Sequence, residues 1–278
     1  MTVLEMRDVV KEYRLRDGLQ LTRLRAVDKV SFELKPGRTV ALVGQSGSGK
    51  STIAKLLMQL ERPTSGAILV DGEPMRYRGA PAAAYRKAVQ MVFQDPFSSL
   101  NPYHTIGHHL ARPVRIHHPD FTGEQVDRRV LDLLRRVRLE PSEDFARRKP
   151  HELSGGQRQR VAIARALAPE PAILVADEPV SMLDVSIRLG VLNLLATLQR
   201  EENLGVLYIT HDLATARHFS DEIMVLYRGA VVEHGPADDV ILNPQHEYTQ
   251  LLADAAPAPE RRLAELRPGA TAAGPRGR

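Results

Sequence analysis

Residues 44–51 have the residue types and spacing of a loop that binds phosphate groups, and we call them the phosphate loop. They fit the pattern G-x-x-x-x-G-K-[S/T]. Glycines let the backbone curl until its N–H groups converge on phosphate oxygens, and a following helix adds positive charge at its N-terminus. Lys50 is expected to reach the β- and γ-phosphates, and the Ser51 hydroxyl to ligate Mg²⁺. We therefore predict ATP and Mg²⁺ as cofactors, bound by Gly44, Gln45, Ser46, Gly47, Ser48, Gly49, Lys50, Ser51 and Thr52.

Two adjacent carboxylates follow an apolar run at residues 172–176. The carboxyl end of a buried parallel strand faces the ligand crevice of such a sheet. Asp177 is therefore expected near the Mg²⁺, acting through a coordinated water. Glu178 is expected to face the γ-phosphate and to orient or deprotonate an attacking water.

A second glycine-rich turn, the signature segment at residues 153–157, precedes a helical pattern. Ser154 is a suitable N-cap, and Gly155 and Gly156 would expose backbone amides to an anion at the start of the helix. Simple capping of the helix is the alternative. The resemblance described below implies a nucleotide contact for Ser154, Gly155, Gly156 and Gln157.

The elements that position these residues alternate between strands and helices. Apolar runs predict strands at residues 3–10, 27–34, 39–43, 67–70, 89–93, 172–176, 206–210 and 223–226. Helical spacing predicts helices at 51–60 and 186–200. This alternation predicts an α/β fold with a mostly parallel sheet. Strand patterns are missing from residues 101–168, where helical spacing indicates an inserted helical subdomain.

Composition narrows the classes of function. The chain has 278 residues, 43% of them apolar and 26% charged, as in a soluble globular protein. The lack of cysteine excludes disulfides, cysteine zinc sites and iron–sulfur clusters. A net charge of +4 does not by itself indicate nucleic acid binding. We expect no secretion signal and no membrane span, and a disordered tail at residues 254–278, which are rich in Ala, Pro, Gly and Arg.

Residues 153–167 resemble the signature motif of ATP-binding-cassette (ABC) ATPases. The resemblance covers residues 2–253. It implies a P-loop NTPase core with a mostly parallel sheet, antiparallel N-terminal strands and an inserted helical subdomain at about 96–168. It also implies ATP hydrolysis coupled to transport across a membrane.

The family pattern assigns further residues by position. Gln94 resembles the Q-loop glutamine, which contacts Mg²⁺ and the attacking water, and His211 resembles the switch histidine at the γ-phosphate. Asp184 ends a segment similar to the D-loop, which meets the opposing subunit, although Met182 replaces the usual small residue. Tyr13 resembles the aromatic residue that stacks on adenine, with a packed surface tyrosine as the alternative. The resemblance thus implies Glu178, His211 and Gln94 as catalytic residues and Ser51, Gln94 and Asp177 as metal ligands.

In the family, two subunits enclose two ATP molecules between them. Ser154 and Gly156 of one subunit would complete the site formed by the phosphate loop of the other. The second subunit is either a copy of this chain or a related ATPase.

Two segments resemble importers for dipeptides, oligopeptides and nickel. These are the Q-loop region at residues 93–102 and a C-terminal extension at about 236–253, in which Glu247 replaces the usual proline. The stretch at residues 14–25 looks like an insertion that fits the same subfamily. The resemblance implies two transmembrane permease subunits and, indirectly, a solute-binding protein, with this chain on the cytoplasmic face of the cell membrane. The solute stays open and includes oligosaccharides.

Several alternatives remain at this stage. An exporter ATPase is one. A soluble ABC ATPase acting on nucleic acid is disfavoured, because one phosphate loop is present and only 59 positions separate Gln94 from Leu153. Five histidines could be exposed side chains or a metal site, namely His104, His108, His109, His117 and His118. Five arginines could form a solvated face or contact the membrane partner, namely Arg128, Arg129, Arg135, Arg136 and Arg138.

Overall fold

The computed structural model describes residues 2–17, 20–96 and 98–255. The predicted tail at 254–278 therefore lies almost wholly outside the described residues. Two sheets and a group of helices form this part of the chain. The predicted α/β class and P-loop NTPase core are confirmed.

A six-stranded sheet carries the ends of the strands that hold most of the predicted site. Its members in chain order are β3 (Thr39–Val43), β6 (Val89–Val92), β7 (Ile173–Asp177), β8 (Gly205–Thr210), β9 (Glu222–Tyr227) and β10 (Ala230–Pro236). Their order across the sheet is β10-β9-β3-β8-β7-β6, with parallel pairing everywhere except between β9 and β10. All residues of β3 and β8 are buried, which explains why these strands read as continuous apolar runs.

A four-stranded antiparallel sheet has the order β2-β1-β4-β5. Its strands are β1 (Leu4–Asp17), β2 (Gln20–Leu34), β4 (Ser65–Val70) and β5 (Glu73–Pro74). Its core joins that of the larger sheet, because Met6, Phe32 and Ile68 are buried in one cluster with Leu42 and Ile209. The predicted antiparallel N-terminal strands are thus present.

The remaining described elements are helices. They are α1 (Lys50–Leu57), α2 (Gly79–Ala88), α3 (Ile106–His117), α4 (Gly123–Arg136), α5 (Ser142–Arg147), a 3-10 turn (Pro150–Glu152), α6 (Gly155–Leu167), α7 (Val185–Glu201), α8 (Leu213–Phe219), α9 (Ala237–Leu242) and α10 (Glu247–Ala255).

The helices α3 to α6 lie between β6 and β7, where the sequence predicts a helical insertion. Thr105 caps α3, and Thr122 forms a capping box on α4 with Gln125. Leu110 and Leu133 are fully buried in the same cluster as residues of the large sheet. The group therefore packs onto the core through its apolar faces. The limits of the subdomain at 96 and 168 stay predictions.

The described residues of the stretch at 14–25 continue the strands β1 and β2, with Tyr13 opposite Leu24 and Arg14 opposite Arg23. That this stretch is an insertion stays a prediction. The strands predicted at 3–10 and 27–34 were therefore too short. The alternation of polar and apolar residues fades in this part of the hairpin, so the pattern that marks a half-buried strand is weak.

Other boundaries also changed. The helix predicted at 51–60 ends at Leu57, since Gln59 adopts a φ of +58°. The sequence interpretation missed α2, α8, α9 and α10, which are short or polar, and the antiparallel edge strand β10.

Gly66 offers a test of how the small sheet is assembled. It lies in β4 against Asp8, where the register of β1 shifts, and a Cβ atom at Gly66 would lie 2.2 Å from the Asp8 carbonyl oxygen. Gly72 has a similar positive φ, +82° against +79°, but a Cβ atom there would meet no heavy atom within 4 Å.

We expect Gly72→Ala to lower the free energy of unfolding by about 1 kcal/mol through backbone strain alone. Gly66→Ala should cost about 2 kcal/mol more, because the backbone of β1 must also move. Urea denaturation of both variants measures the difference. Equal losses would contradict this account of the contact between β1 and β4.

Candidate functional site

The phosphate loop connects β3 to α1 in a conformation that its glycines make possible. Gly47 and Gly49 have φ values of +80° and +113°, and a Cβ atom at Gly49 would lie 2.3 Å from the Ala26 carbonyl oxygen. No side chain caps the N-terminus of α1. The first N–H groups of α1 are thus left for an anionic ligand.

Lys50 is held inside this loop. Its Nζ donates hydrogen bonds to the carbonyl oxygens of Gly44 at 2.5 Å and Gln45 at 2.9 Å. Burial lowers the pKa of the Lys50 ammonium, while the negative charges of Glu178 and Asp177 act in the opposite direction. The side chain is therefore a buried cation bound to backbone carbonyls, which a phosphate group could replace as a better partner.

Glu178 joins side chains from the ends of three neighbouring strands, and we call this arrangement the Glu178 network. Gln94 Nε2 donates to Glu178 Oε2 at 3.1 Å, and His211 Nδ1 lies 3.1 Å from Glu178 Oε1. Gln94 follows β6, Glu178 follows β7 and His211 follows β8, which are adjacent in the sheet. Parallel pairing thus brings together the three predicted catalytic residues. Gln94 and His211 each contact one oxygen of the Glu178 carboxylate.

Asp177, the last residue of β7, lies beside this network. Burial raises the pKa of its carboxyl and the charge of Glu178 raises it further, while Lys50 opposes them. Asp177 does not line the cleft that Glu178 lines. It lines a neighbouring groove, described below, together with Gln94. Two close carboxylates with one buried lysine leave an excess of negative charge, which suits a divalent cation with oxygen ligands.

A cleft of about 1100 Å³ opens over the phosphate loop. Of the predicted residues it is lined by Tyr13, Gly44, Gln45, Ser46, Gly47, Gly49, Lys50, Ser51, Thr52, Gln94, Glu178 and His211. Ser48 is buried in the loop. Tyr13 and Leu24 face each other across the hairpin at one side of the cleft, and the Nζ of Lys11 lies 5.0 Å from the Tyr13 ring centroid. An elongated ligand with an anionic end and a flat apolar end would match this distribution of groups.

Sequence reasoning missed several residues of the cleft. These are Leu24, Arg25, Ala26, Arg228, Gly229 and Leu252. Leu24, Arg25 and Ala26 lie in β2, the first two within the stretch that the sequence indicates as an insertion. Arg228 adopts a φ of +48° in the turn after β9, and the Arg-Gly pair there is typical of a turn but carries no specific sign of a ligand.

The signature segment and the D-loop residue lie apart from this cleft. None of Ser154, Gly155, Gly156, Gln157 and Asp184 lines it in the described part of the chain. Ser154 caps α6 and forms a capping box with Gln157, and Ser154 and Asp184 are exposed. A Cβ atom at Gly156 would lie 2.6 Å from Ile187 Cγ2, so this glycine also permits close packing of α6 on α7. A contact between these residues and a nucleotide stays a prediction.

A groove of about 970 Å³ adjoins the cleft beyond Gln94, and we call it the side groove. It lies between the segment after β6 and α3. Two large apolar side chains in it are exposed, Phe93 at 47% and Ile116 at 63%. His104, His108 and His109 also line it, yet within the described residues no group of three or more His, Cys, Asp or Glu side chains could hold a metal ion.

No helix in residues 2–17, 20–96 or 98–255 is both long and apolar enough to cross a membrane.

Comparison with protein families gives two matches. Residues 27–181 match the family described as ABC transporter. Residues 232–275 match the family described as oligopeptide/dipeptide transporter, C-terminal region. The second match includes β10 from residue 232 onward, α9 and α10, and extends beyond the described residues.

Curated relatives are similar over almost the whole chain. The oligopeptide transport ATP-binding protein AppF of Bacillus subtilis is 46% identical over 266 residues, which are 94% of this chain and 80% of that protein. The di/tripeptide transport ATP-binding protein DppF of Pseudomonas aeruginosa is 44% identical, with 92% and 80% covered. The glutathione import ATP-binding protein GsiA of Pectobacterium atrosepticum is 45% identical over 95% of this chain, but the chain spans only 43% of that protein's length.

Solved structures share the fold. A dimeric ATP-binding cassette in a post-hydrolysis state, bound to ADP and Pi, is 33% identical with a TM-score of 0.72, covering 84% of this chain and 98% of its own. A Clostridium perfringens subunit of the ABC transporter complex cbiONQ is 28% identical with a TM-score of 0.75, covering 86% and 90%.

The raised pKa of Asp177 yields a stability prediction. A carboxyl whose folded-state pKa is raised contributes stability below the unfolded pKa and loses it as the pH rises through the folded pKa. Asp177→Asn removes this ionisation. We therefore expect the variant to be more stable than the parent at pH 7.5 without metal or nucleotide, by about 1 kcal/mol, a gain usual for relief of a functional site.

Urea denaturation in EDTA measures this difference, which should shrink as the pH falls toward the raised pKa. Asp120→Asn, at an exposed position, is the control and should change little. An Asp177→Asn variant that is less stable than the parent at pH 7.5 would contradict the assignment.

Proposed function

The chain belongs to the ABC transporter family, and on this premise we propose that it is the ATP-binding and ATP-hydrolysing subunit of an importer for peptides or related small solutes. The observation that carries the proposal is the Glu178 network, which lies above a phosphate loop at the aligned ends of parallel strands. It combines a phosphate-binding backbone with a carboxylate positioned for hydrolysis.

Nucleotide binding follows from the shape of the cleft. The phosphate groups lie on the N–H groups of the phosphate loop and of the first turn of α1. The Lys50 ammonium exchanges its carbonyl partners for phosphate oxygens, a charge-assisted contact that also relieves the penalty of its burial. The base lies at the side of the cleft formed by Tyr13 and Leu24.

Hydrolysis requires a water aligned with the γ-phosphate. Glu178 orients that water or accepts its proton, and Gln94 and His211 keep the carboxylate in place by their contacts with both of its oxygens. His211 is 60% exposed at its side chain, against 18% for Glu178, and so can also reach a phosphate group.

When bound, Mg²⁺ would neutralise charge on the phosphates and the leaving group. We propose that Ser51, Gln94 and Asp177 hold it, Asp177 through a water. Hydroxyl, amide and carboxylate oxygens are the ligands this ion prefers, and the buried Asp177 carboxyl beside Glu178 gains a counter-charge by holding it.

A second ATPase subunit is required for a complete site. Ser154, Gly156 and Asp184 stand away from the cleft of their own chain, and the N-terminus of α6 offers free backbone amides. In the proposed dimer these groups close the nucleotide site of the opposite subunit. The subunit is either a second copy or a related ATPase, as a dimeric neighbour of similar fold illustrates.

We propose that the side groove receives the transmembrane partners. It is next to Gln94, so an element bound there can displace a residue of the Glu178 network. Two permease subunits and, through them, a solute-binding protein would make up the importer, with this chain peripheral on the cytoplasmic face of the membrane. The relatives' names include oligopeptide, di/tripeptide and glutathione transport, which supports a peptide-like solute. No nucleic acid partner is proposed.

The role of Glu178 is tested by Glu178→Gln, which keeps the size of the side chain but removes its charge. ATP hydrolysis should fall by at least about 100-fold, as expected on loss of a general base. ATP binding should persist, so the variant should elute as an ATP-dependent dimer in size-exclusion chromatography. Hydrolysis at the parent rate would remove Glu178 from the mechanism.

Completion of the site between subunits is tested by mixing two inactive variants. Lys50→Ala disables the phosphate loop, and Ser154→Arg blocks the start of α6. A mixed dimer of the two retains one intact composite site, so the mixture should recover up to roughly a quarter of the parent rate. Each variant alone should stay inactive while remaining folded by circular dichroism. A mixture as inactive as its components would argue against sites shared between two copies of this chain.

A further inference from the structure

Tyr248 of α10 contacts the phosphate loop. The backbone N–H of Gln45 donates a hydrogen bond of 3.0 Å to the Tyr248 hydroxyl, although the two residues are 203 positions apart. Leu252, one helical turn further along α10, lines the nucleotide cleft. α10 is therefore next to the site at two positions, Tyr248 and Leu252.

The Tyr248 side chain packs against the large sheet. It is only 7% exposed, and its ring packs on that of Tyr227 with centroids 4.2 Å apart and an interplanar angle of 32°. Tyr227 is the last residue of β9, and β9 pairs directly with β3, the strand that leads into the phosphate loop. The hydroxyl is thus positioned by the same sheet that positions the loop.

The start of α10 is anchored to β10 by Glu233. Its carboxylate accepts hydrogen bonds from the N–H groups of Gln245 at 2.8 Å and His246 at 3.0 Å. Burial acts to raise the pKa of the Glu233 carboxyl, but hydrogen bonds, these two among them, together with the charge of His246 act in the opposite direction, and the pKa is lowered. The N–H of Tyr248 in turn donates to His246 Nδ1 at 3.1 Å. The position of Tyr248 is therefore set by a chain of contacts rather than by one helix end.

The Gln45 peptide is held on both sides. Its N–H is bound to Tyr248, and its carbonyl oxygen accepts from Lys50 Nζ at 2.9 Å and from the Ser48 N–H at 3.2 Å. Transfer of Lys50 to a phosphate group would remove one of the two contacts of the carbonyl oxygen and leave the hydrogen bond to Tyr248 in place. The Tyr248 hydroxyl therefore ties the first turn of the loop to α10 with or without ligand, whereas the Ser48 contact lies within the loop itself.

We propose that Tyr248 is a positioning residue that holds the phosphate loop in its binding conformation before nucleotide arrives, which makes α10 a functional part of the nucleotide site. The inference rests on the proposed function, since it takes the phosphate loop as the site of ATP. A loop that samples other conformations binds with an apparent affinity reduced by the fraction that is competent. Tyr248 keeps that fraction high.

Tyr248→Phe tests the proposal, because it preserves the ring packing on Tyr227 and removes only the hydroxyl. We expect the dissociation constants for ATP and ADP, measured by isothermal titration calorimetry, to rise about three- to tenfold, the range that one neutral hydrogen bond supports. The KM for ATP should rise by the same factor while kcat at saturating ATP stays the same. If Tyr248 had only a structural role, Tyr248→Phe would lower the melting temperature and leave the KM and kcat for ATP as in the parent.

Tyr227→Phe is the matched control. It removes a hydroxyl from the same ring pair without touching the phosphate loop, so both affinities and KM should equal those of the parent. If it weakens binding as much as Tyr248→Phe does, general packing of the ring pair explains the effect and the proposal is overturned.

Lys50→Ala distinguishes a failure of the proposed function from a failure of the positioning role of Tyr248. If this variant binds ATP as the parent does, the phosphate loop is not the site and the proposed function fails. If Lys50→Ala loses binding but a folded Tyr248→Phe keeps the parent's affinity, only the positioning role fails. A change in kcat without one in KM would also overturn it.

Hydrogen exchange of the parent chain gives a test that needs no variant. In the nucleotide-free protein the Gln45 amide should be protected, because it is bound to Tyr248, whereas the amides of Ser46 and Gly47 await phosphate. Exchange of the Gln45 amide as fast as that of Ser46 would overturn the proposal even if Tyr248→Phe did not fold.

Discussion

Parallel pairing of the strands around β8 is the constraint on which the site depends. Val43 pairs with Thr210 on one side of β8, and Asp177 pairs with Ile209 on the other. The phosphate loop and the Glu178 network begin directly after these positions, so the register of the strands sets their distances. A shift by one residue would turn buried side chains to the opposite face, which the fully buried strands β3 and β8 do not permit. Packing of the core therefore fixes the geometry of the chemistry.

The charges at the site explain why this packing must be so strict. A buried lysine and two neighbouring carboxylates are costly to remove from water, and they offset one another only at short range. Without a ligand, Lys50 is bound to two backbone carbonyls of its own loop. The loop thus has a conformation in which its cation is satisfied, the Gln45 N–H is bound to Tyr248, and the N–H groups of Ser46 and Gly47 remain open. Binding of an anion changes the partners of Lys50 rather than the fold.

The signature segment and the D-loop residue Asp184 are positioned by helices rather than by the large sheet. Gly156 lies so close to Ile187 that α6 and α7 can pack against each other without a side chain between them. Asp184 is at the start of α7 and Ser154 at the start of α6, so the two residues that face away from the cleft belong to helices in direct contact. Groups that would meet an opposing subunit are thereby kept together, while the cleft of their own chain is built elsewhere.

The parts of the site that the sequence predicted are those whose residues follow one another or follow a buried strand. The phosphate loop is a continuous pattern, and Gln94, Glu178 and His211 each follow an apolar run that could only be a strand. Residues outside such patterns were not predictable in the same way. Leu24 lies on a hairpin whose alternation is weak, and no local pattern marks Tyr248 as a neighbour of Gln45.

The contact between Tyr248 and Gln45 depends on how α10 lies against the large sheet. That position is decided by Glu233, two backbone amides and a pair of stacked rings, none of which is distinctive alone. The most local feature of the chain, the phosphate loop, is therefore held at its first turn by one of its most distant elements. Pattern analysis can locate the residues that meet the nucleotide, but the residues that keep them in place are identified only when the whole chain has folded.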